Sequence, residues 1–169
     1  MESSKRPALV ALARILADAA LPYAVIGGVA LQIHQREPRT TLDIDLAVAD
    51  RHALPRPALE AAGFSLSGDY VHSQNWVGPE ATPVQFTDDP ALVAAIGRAE
   101  TIDLDGAPLR ILARVDLLHE KLRAGIDPGR RRSKRLQDLA DAQALLEQDP
   151  ALADALSDGE RAVLEALPK

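Results

Sequence analysis

The sequence predicts an α/β (α+β) fold: a small mixed β-sheet flanked by helices, closed by a helical C-terminal segment. Three observations carry this. Short apolar runs bounded by Gly and Pro, such as Tyr23–Ile26, have the length of buried strands. Longer stretches, among them residues 4–21 and 133–146, repeat apolar side chains at helical spacing. An Asp105-Gly106 pair between two apolar runs is a strong short-range hairpin signal. At 169 residues the chain is long enough for one domain with a sizeable core. Residues 1–125 are expected to form that core, and residues 126–169 a helical segment packed on it, the two making a single compact unit.

Composition narrows the function classes. Hydrophobic residues make up 47% of the chain but aromatics only 3%, so the core must be built from Leu, Ala, Val and Ile. No apolar run reaches the roughly 18 residues of a membrane span, and the N-terminus does not read as a secretory signal, so a cytoplasmic protein with no membrane partner is expected. The absence of cysteine excludes disulfides, thiolate metal sites and cysteine nucleophiles. His34, His52, His72 and His119 are dispersed, with no pair at the i, i+4 spacing of a helical zinc site. There is neither a Gly-x-Ser-x-Gly elbow nor a Walker A pattern. A net charge of −6 means that any polyanion must be met by local positive charge or by metal.

The first helix, residues 4–21, has Ser4 as a cap, Pro7 in its first turn and Leu9, Leu12 and Leu16 on one face. Leu21-Pro22 breaks it before the strand Tyr23–Ile26, which ends at Gly27-Gly28, where the backbone can turn sharply. A short helix follows whose N-terminus would face an anion. Residues 42–48 read as the next strand. Period-two alternation then sends Asp43 and Asp45 to one face, and Leu42, Ile44 and Leu46 to the core. Two carboxylates about 7 Å apart on one strand face repel unless a cation lies between them. Hard oxygen ligands suit Mg2+ or Mn2+, which commonly keep several waters and bridge carboxylates to substrate phosphates.

The order hydrophobic-Gly27-Gly28, a spacer, then Arg39-x-Thr41-x-Asp43-x-Asp45 resembles the DNA polymerase beta-like nucleotidyltransferase superfamily, and within it the small bacterial minimal nucleotidyltransferases and AbiEii-type toxin proteins. The resemblance covers residues 23–48 closely and the order of elements to residue 146 more loosely. It implies a sheet of nucleotidyltransferase type, Asp43 and Asp45 as catalytic metal ligands, Gly27 and Gly28 as contacts to a nucleoside triphosphate, and Arg39 and Thr41 as supporting polar residues. It also implies a third carboxylate on a later strand.

That later strand is residues 82–87, and the position of the third acid is held by Gln85. A glutamine offers a cation only a neutral carbonyl, so the site loses one negative charge. Asp88 falls on the opposite face by alternation, and Asp89-Pro90 reads as a helix cap. Before this strand, residues 58–62 read as a short helix, and residues 64–66 and 70–77 as a strand pair turning at Ser67-Gly68-Asp69. After it come a helix over residues 91–96, the hairpin about Asp105-Gly106, and a helix over residues 114–124 with Val115, Leu118 and Leu122 on one face. Lys121 lies at the edge of that face and reads as a solvated charge; the resemblance implies a lysine here that reaches the triphosphate.

Arg130, Arg131, Arg132, Lys134 and Arg135 form a basic cluster, either a helix start pairing with Asp138 and Asp141 or a patch for RNA backbone or phosphate. The helix over residues 133–146, with Leu136, Leu139 and Leu146 on one side, resembles the Lys-x-x-Asp-hydrophobic-x-Asp helix of AbiEii-like proteins. Asp149-Pro150 and Ser157-x-x-Glu160 start two further short helices. Two functions are compatible with these residues. One is metal-dependent transfer of a nucleoside monophosphate from NTP to a hydroxyl acceptor on a protein, tRNA or small molecule. The other is a catalytically degenerate binding module of the same fold, such as a toxin–antitoxin component or nucleotide sensor, which the glutamine at position 85 motivates.

Overall fold

A computed structural model describes residues 5–36 and 40–169. By packing, the chain divides into two compact units, residues 1–113 and 114–169. The division falls before the helix at residue 114, not at residue 125, because that helix packs along the one that follows it.

The first unit begins with α1 (Arg6–Asp18), with Pro7 in its first turn and Leu9, Leu12 and Leu16 fully buried. Ser4, the expected cap, lies outside the described residues. β1 (Tyr23–Ile26) runs without a loop into α2 (Gly27–His34), and β2 (Ile44–Val48) returns antiparallel beside β1. Then follow α3 (Arg56–Ala61), β3 (Ser65–Asp69), β4 (Ser73–Val77), β5 (Pro83–Thr87), α4 (Val93–Gly97), β6 (Glu100–Leu104) and β7 (Ala107–Ile111). The seven strands form one sheet in the order β3-β4-β5-β2-β1-β7-β6. It is mixed, as expected: β1 with β7 and β2 with β5 are parallel, and the other pairs antiparallel.

Burial along the strands shows which faces are covered. β1 is buried at all four positions, as a central strand covered on both sides must be. β5 alternates: Val84 and Phe86 are buried while Pro83 and Gln85 are exposed. β4 matches it, with Trp76 and Gln74 buried and Asn75 on the other side. The half of the sheet made by β5, β4 and β3 therefore packs one face into the core and presents the other, polar face outward.

Two sequence expectations change here. The turn between β3 and β4 is at residues 70–72, not at Ser67-Gly68-Asp69, because the strand continues through a bulge in which the register shifts between Leu66 and Gly68; a strand glycine marks such a bulge as readily as a turn. β2 starts at Ile44, so Leu42 is 72% exposed and does not enter the core. The Asp105-Gly106 hairpin is as read: both residues have positive φ, 53° and 76°, as a type I′ turn requires.

The second unit contains α5 (Arg114–Ile126), α6 (Arg132–Gln148) and α7 (Asp158–Glu165). α7 carries the capping box read from Ser157 and Glu160. The buried face of α6 is Asp138, Asp141, Ala142 and Leu145, whereas Leu136, read on one side with Leu139 and Leu146, is 54% exposed. Two acids enter that interior because Lys121 of α5 meets them, its Nζ 2.9 Å from Asp138 Oδ1 and 2.8 Å from Asp141 Oδ2. Lys121 is 5% exposed, so it is a buried cation and not the solvated charge expected.

Candidate functional site

The site is built where β1 stops. Gly27 has φ +62°, a left-handed conformation that costs an L side chain free energy, and it opens α2. Ile26 is in register with Asp45 on the antiparallel neighbour β2, which brings the Asp45 side chain alongside the turn. A Cβ placed on Gly27 would lie 2.7 Å from Asp45 Oδ2 and 3.3 Å from Asp45 Cβ. The carboxylate thus rests against backbone that only glycine leaves bare. Next to it, a Cβ on Gly28 would lie 2.6 Å from Thr41 Oγ1 and 2.7 Å from Thr41 Cβ, so Thr41 occupies the space above the second glycine.

Asp43, immediately before β2, is exposed, and Asp45 is half-buried. Both line a pocket of about 230 Å³ whose other polar side chains are Ser67, Asn75 and Gln85. Gln85 stands beside Asp45 on the parallel neighbour β5, and Asn75 beside Gln85 on β4. The Gln85 amide Nε2 donates to Asn75 Oδ1 at 3.1 Å. One of the two amide N–H groups of the glutamine is thereby used, and its carbonyl oxygen can still accept or coordinate.

Asp88, at the end of β5, is held elsewhere. It accepts from the Arg51 backbone N–H at 3.3 Å and from Arg51 Nη1 at 2.7 Å, and His72 Nδ1 lies 3.6 Å away. Burial pushes its carboxyl up, but the hydrogen bonds and charge of Arg51 outweigh this and hold it below the ordinary carboxylate value. Asp89 caps the turn that follows, accepting from Ala91 N at 2.9 Å, as the sequence suggested.

Of the residues singled out from sequence, the structure brings together Gly27, Gly28, Thr41, Asp43, Asp45 and Gln85. Arg39 lies outside the described residues. Lys121 belongs to the second unit, where two carboxylates hold its ammonium. In the basic cluster Arg130 Nε bonds Asp138 Oδ2 at 2.6 Å, while Arg131, Arg132 and Lys134 are exposed. Asn75 and Ser67 were missed by sequence reading. The signal for Asn75 was register: once β4 is placed beside β5, it falls opposite Gln85.

Among the described residues no three His, Cys, Asp or Glu side chains gather as a metal centre. Asp43 and Asp45 with the Gln85 carbonyl still suit a hard divalent cation that takes its remaining ligands from water and phosphate. Among the described residues, no helix is long and apolar enough to cross a membrane.

Neither a protein-family profile nor a curated protein matches the chain by sequence. Solved structures match by fold. The antibiotic-resistance factor ANT(2″)-Ia aligns with 98% of this chain and 92% of its own at a TM-score of 0.64 and 14% identity. An antigenic nucleotidyltransferase-like protein from Paracoccidioides brasiliensis aligns with 100% and 96% at a TM-score of 0.60 and 20% identity. The lincosamide antibiotic adenylyltransferase LnuA, solved with lincomycin, aligns with 79% and 93% at a TM-score of 0.55 and 10% identity. The chain has the fold of these nucleotidyltransferases, a mixed sheet flanked by helices.

Proposed function

We propose that the chain binds a nucleoside triphosphate with a divalent cation at Asp43 and Asp45 and transfers its nucleoside monophosphate to a hydroxyl acceptor. The observation that supports this best is the contact of the Asp45 carboxylate with the side-chain-free backbone of Gly27, since it sets a ligand oxygen beside the start of α2. The N–H groups of Gly27 and Gly28 at that helix start face the phosphates, with Thr41 and Arg39 as further polar contacts. Mg2+ or Mn2+, when bound, supplies positive charge to the triphosphate and to the departing pyrophosphate. The acceptor oxygen bonds to the α-phosphorus, the bond from that phosphorus to the bridging oxygen breaks, pyrophosphate leaves with the electron pair, and the hydroxyl proton passes to solvent. The chain's part is positioning and charge placement, and no covalent enzyme intermediate is involved. Lys121, held by Asp138 and Asp141, is given a structural role in this reading.

The likeness of the Gly-Gly and Asp-x-Asp segment supports a place near the AbiEii-type and minimal nucleotidyltransferases, with a cytoplasmic setting where NTP and Mg2+ are abundant. The exposed Arg131, Arg132 and Lys134 are available for phosphate or RNA backbone. One observation favours a second reading, a binding module without transfer: the position beside Asp45 carries an amide tied to Asn75, not a carboxylate. Titration calorimetry of Mg-ATP and Mg-CTP into wild type and Asp43→Asn tests the binding step. Heat in the wild type and none in the variant is expected, and equal heats in both remove the assignment. Label transfer from radioactive NTP to an acceptor then separates the enzyme from the binding module.

A further inference from the structure

The geometry points to a second copy of this chain as the occupant of the outer face of α6, laid antiparallel so that the basic start of each helix meets the acidic end of the other. This goes beyond the nucleotide reading and does not depend on it.

α6 buries one face, Asp138, Asp141, Ala142 and Leu145, within the second unit. On the other side, at 100° per residue, lies a stripe with three- and four-residue spacing: Arg132, Leu136, Leu139, Ala140, Gln143 and Glu147. From Leu136 to Glu147 this stripe lines an open groove of about 660 Å³ whose other wall includes Leu164, Leu167 and Pro168. Leu136 is 54% exposed on it, and α7, which carries Leu164, has no buried residue. A groove between two helices with leucines left in water is a surface that gains by being covered.

The charges identify the occupant. α6 carries Arg132, Lys134 and Arg135 in its first turn with no acid, and Glu147 in its last turn with no base. This order opposes the helix macrodipole, which favours acids at the start and bases at the end. Side by side and antiparallel, two such helices bring each charged end against its opposite. Among the described residues Arg132 meets no carboxylate, and Glu147, which accepts from Gln143 Nε2 at 3.1 Å, meets no cation. A two-fold axis between Leu139 and Ala140 sets Arg132 level with Glu147 of the second copy, and Leu136 level with its Gln143. Leu136 then enters the hole framed by Ala140, Gln143, Ala144 and Glu147 of the second copy, four positions that line the groove. Alanine at two corners leaves room for the leucine. A nucleic acid would set phosphates against Glu147 and Glu165 and leave Leu136 in water, so it fits this face less well. Arg131 and Lys134 lie off the stripe by helical spacing and stay open to phosphate.

One face of a 17-residue helix, about 25 Å long, is small for an interface, so self-association is weak, with a dissociation constant of about 1–100 μM. Sedimentation velocity on the full chain across that range tests this. Wild type is expected to pass from monomer to dimer. Leu136→Asp, Arg132→Glu and Glu147→Arg should each weaken the dimer at least about tenfold, with helix content by circular dichroism unchanged because these positions are exposed. Arg132→Glu combined with Glu147→Arg should restore the dimer to within about threefold of wild type, a rescue that damage to the fold would not give. A wild type that stays monomeric, single variants that dimerise as wild type does, or a double variant without rescue overturns the proposal. So does fluorescence anisotropy in which single-stranded RNA binds a monomeric wild type and is lost in Arg132→Glu.

Discussion

Gly27→Ala is the substitution whose cost can be worked most directly. Two effects add. The left-handed φ of +62° costs an alanine about 1–2 kcal/mol. The new methyl would also lie 2.7 Å from Asp45 Oδ2, so reaching an ordinary 3.4 Å contact moves the carboxylate by 0.7 Å (3.4 − 2.7). Forcing a side chain off its rotamer costs a further ~0.5–1.5 kcal/mol. Gly106→Ala serves as the control: its φ is +76°, and a Cβ there meets nothing within 4 Å. At 2–4 °C per kcal/mol for a chain of this size, Gly106→Ala should lower Tm by about 2–8 °C and Gly27→Ala by about 3–14 °C. The larger contrast is in binding. Metal–ligand distances tolerate only about ±0.2 Å, so a 0.7 Å shift of Asp45 should weaken Mg-ATP at least about tenfold in Gly27→Ala. Gly106→Ala should leave it unchanged. Thermal melts and calorimetry on the two variants decide it: Mg-ATP affinity within twofold of wild type in Gly27→Ala would refute the argument that Asp45 holds the cation against this turn.

Lys121→Met should cost about 3–5 kcal/mol in urea unfolding, because Asp141, its side chain 4% exposed, loses the buried ammonium while Asp138 keeps Arg130; a normal unfolding curve with lost Mg-ATP heat would instead make Lys121 a nucleotide contact. Asp88 titrates below the ordinary carboxylate value in the folded chain, so its contribution to stability is complete above about pH 4 and is lost as pH falls through the folded value. Asp88→Asn should therefore be less stable at pH 7 and show a shallower loss in acid; parallel acid limbs in Tm against pH would remove Arg51 as the cause. Gln85→Asp sets a carboxylate beside Asp45, and melts should become metal-dependent, destabilised in chelator and recovered by Mn2+. If that variant labels an acceptor that wild type does not, the natural chain is the binding module.

Local signals were legible in the sequence wherever one residue type has one physical role. Tyr23–Ile26, closed by Pro22 and Gly27, is β1 to the residue, and Asp105-Gly106 turns a hairpin because both positions need positive φ. Ser157 and Glu160 cap α7 reciprocally. What failed depended on partners distant in sequence. The apolar side read through Leu136, Leu139 and Leu146 is not the buried face: the interior of α6 is organised about Lys121, seventeen residues before Asp138, which lets two carboxylates enter. Gly68 was read as a turn because a bulge and a turn both use glycine. Within the candidate site, Asp43 and Asp45 line one pocket, but β2 starts only at Ile44, so alternation along a strand accounts for Asp45 and not for Asp43. Asn75 became visible only when β4 was paired with β5.

β1 and α2 meet with no residue between them: Ile26 ends one and Gly27 begins the other. The joint therefore has no slack. Inserting a single residue would swing the helix by about 100° at 3.6 residues per turn and aim its first N–H groups away from Asp45. Substitution can range widely while this architecture persists, as fold neighbours at 14–20% identity show. Insertion and deletion have no such latitude here: one residue more between Ile26 and Gly27 turns the whole of α2 away from Asp45.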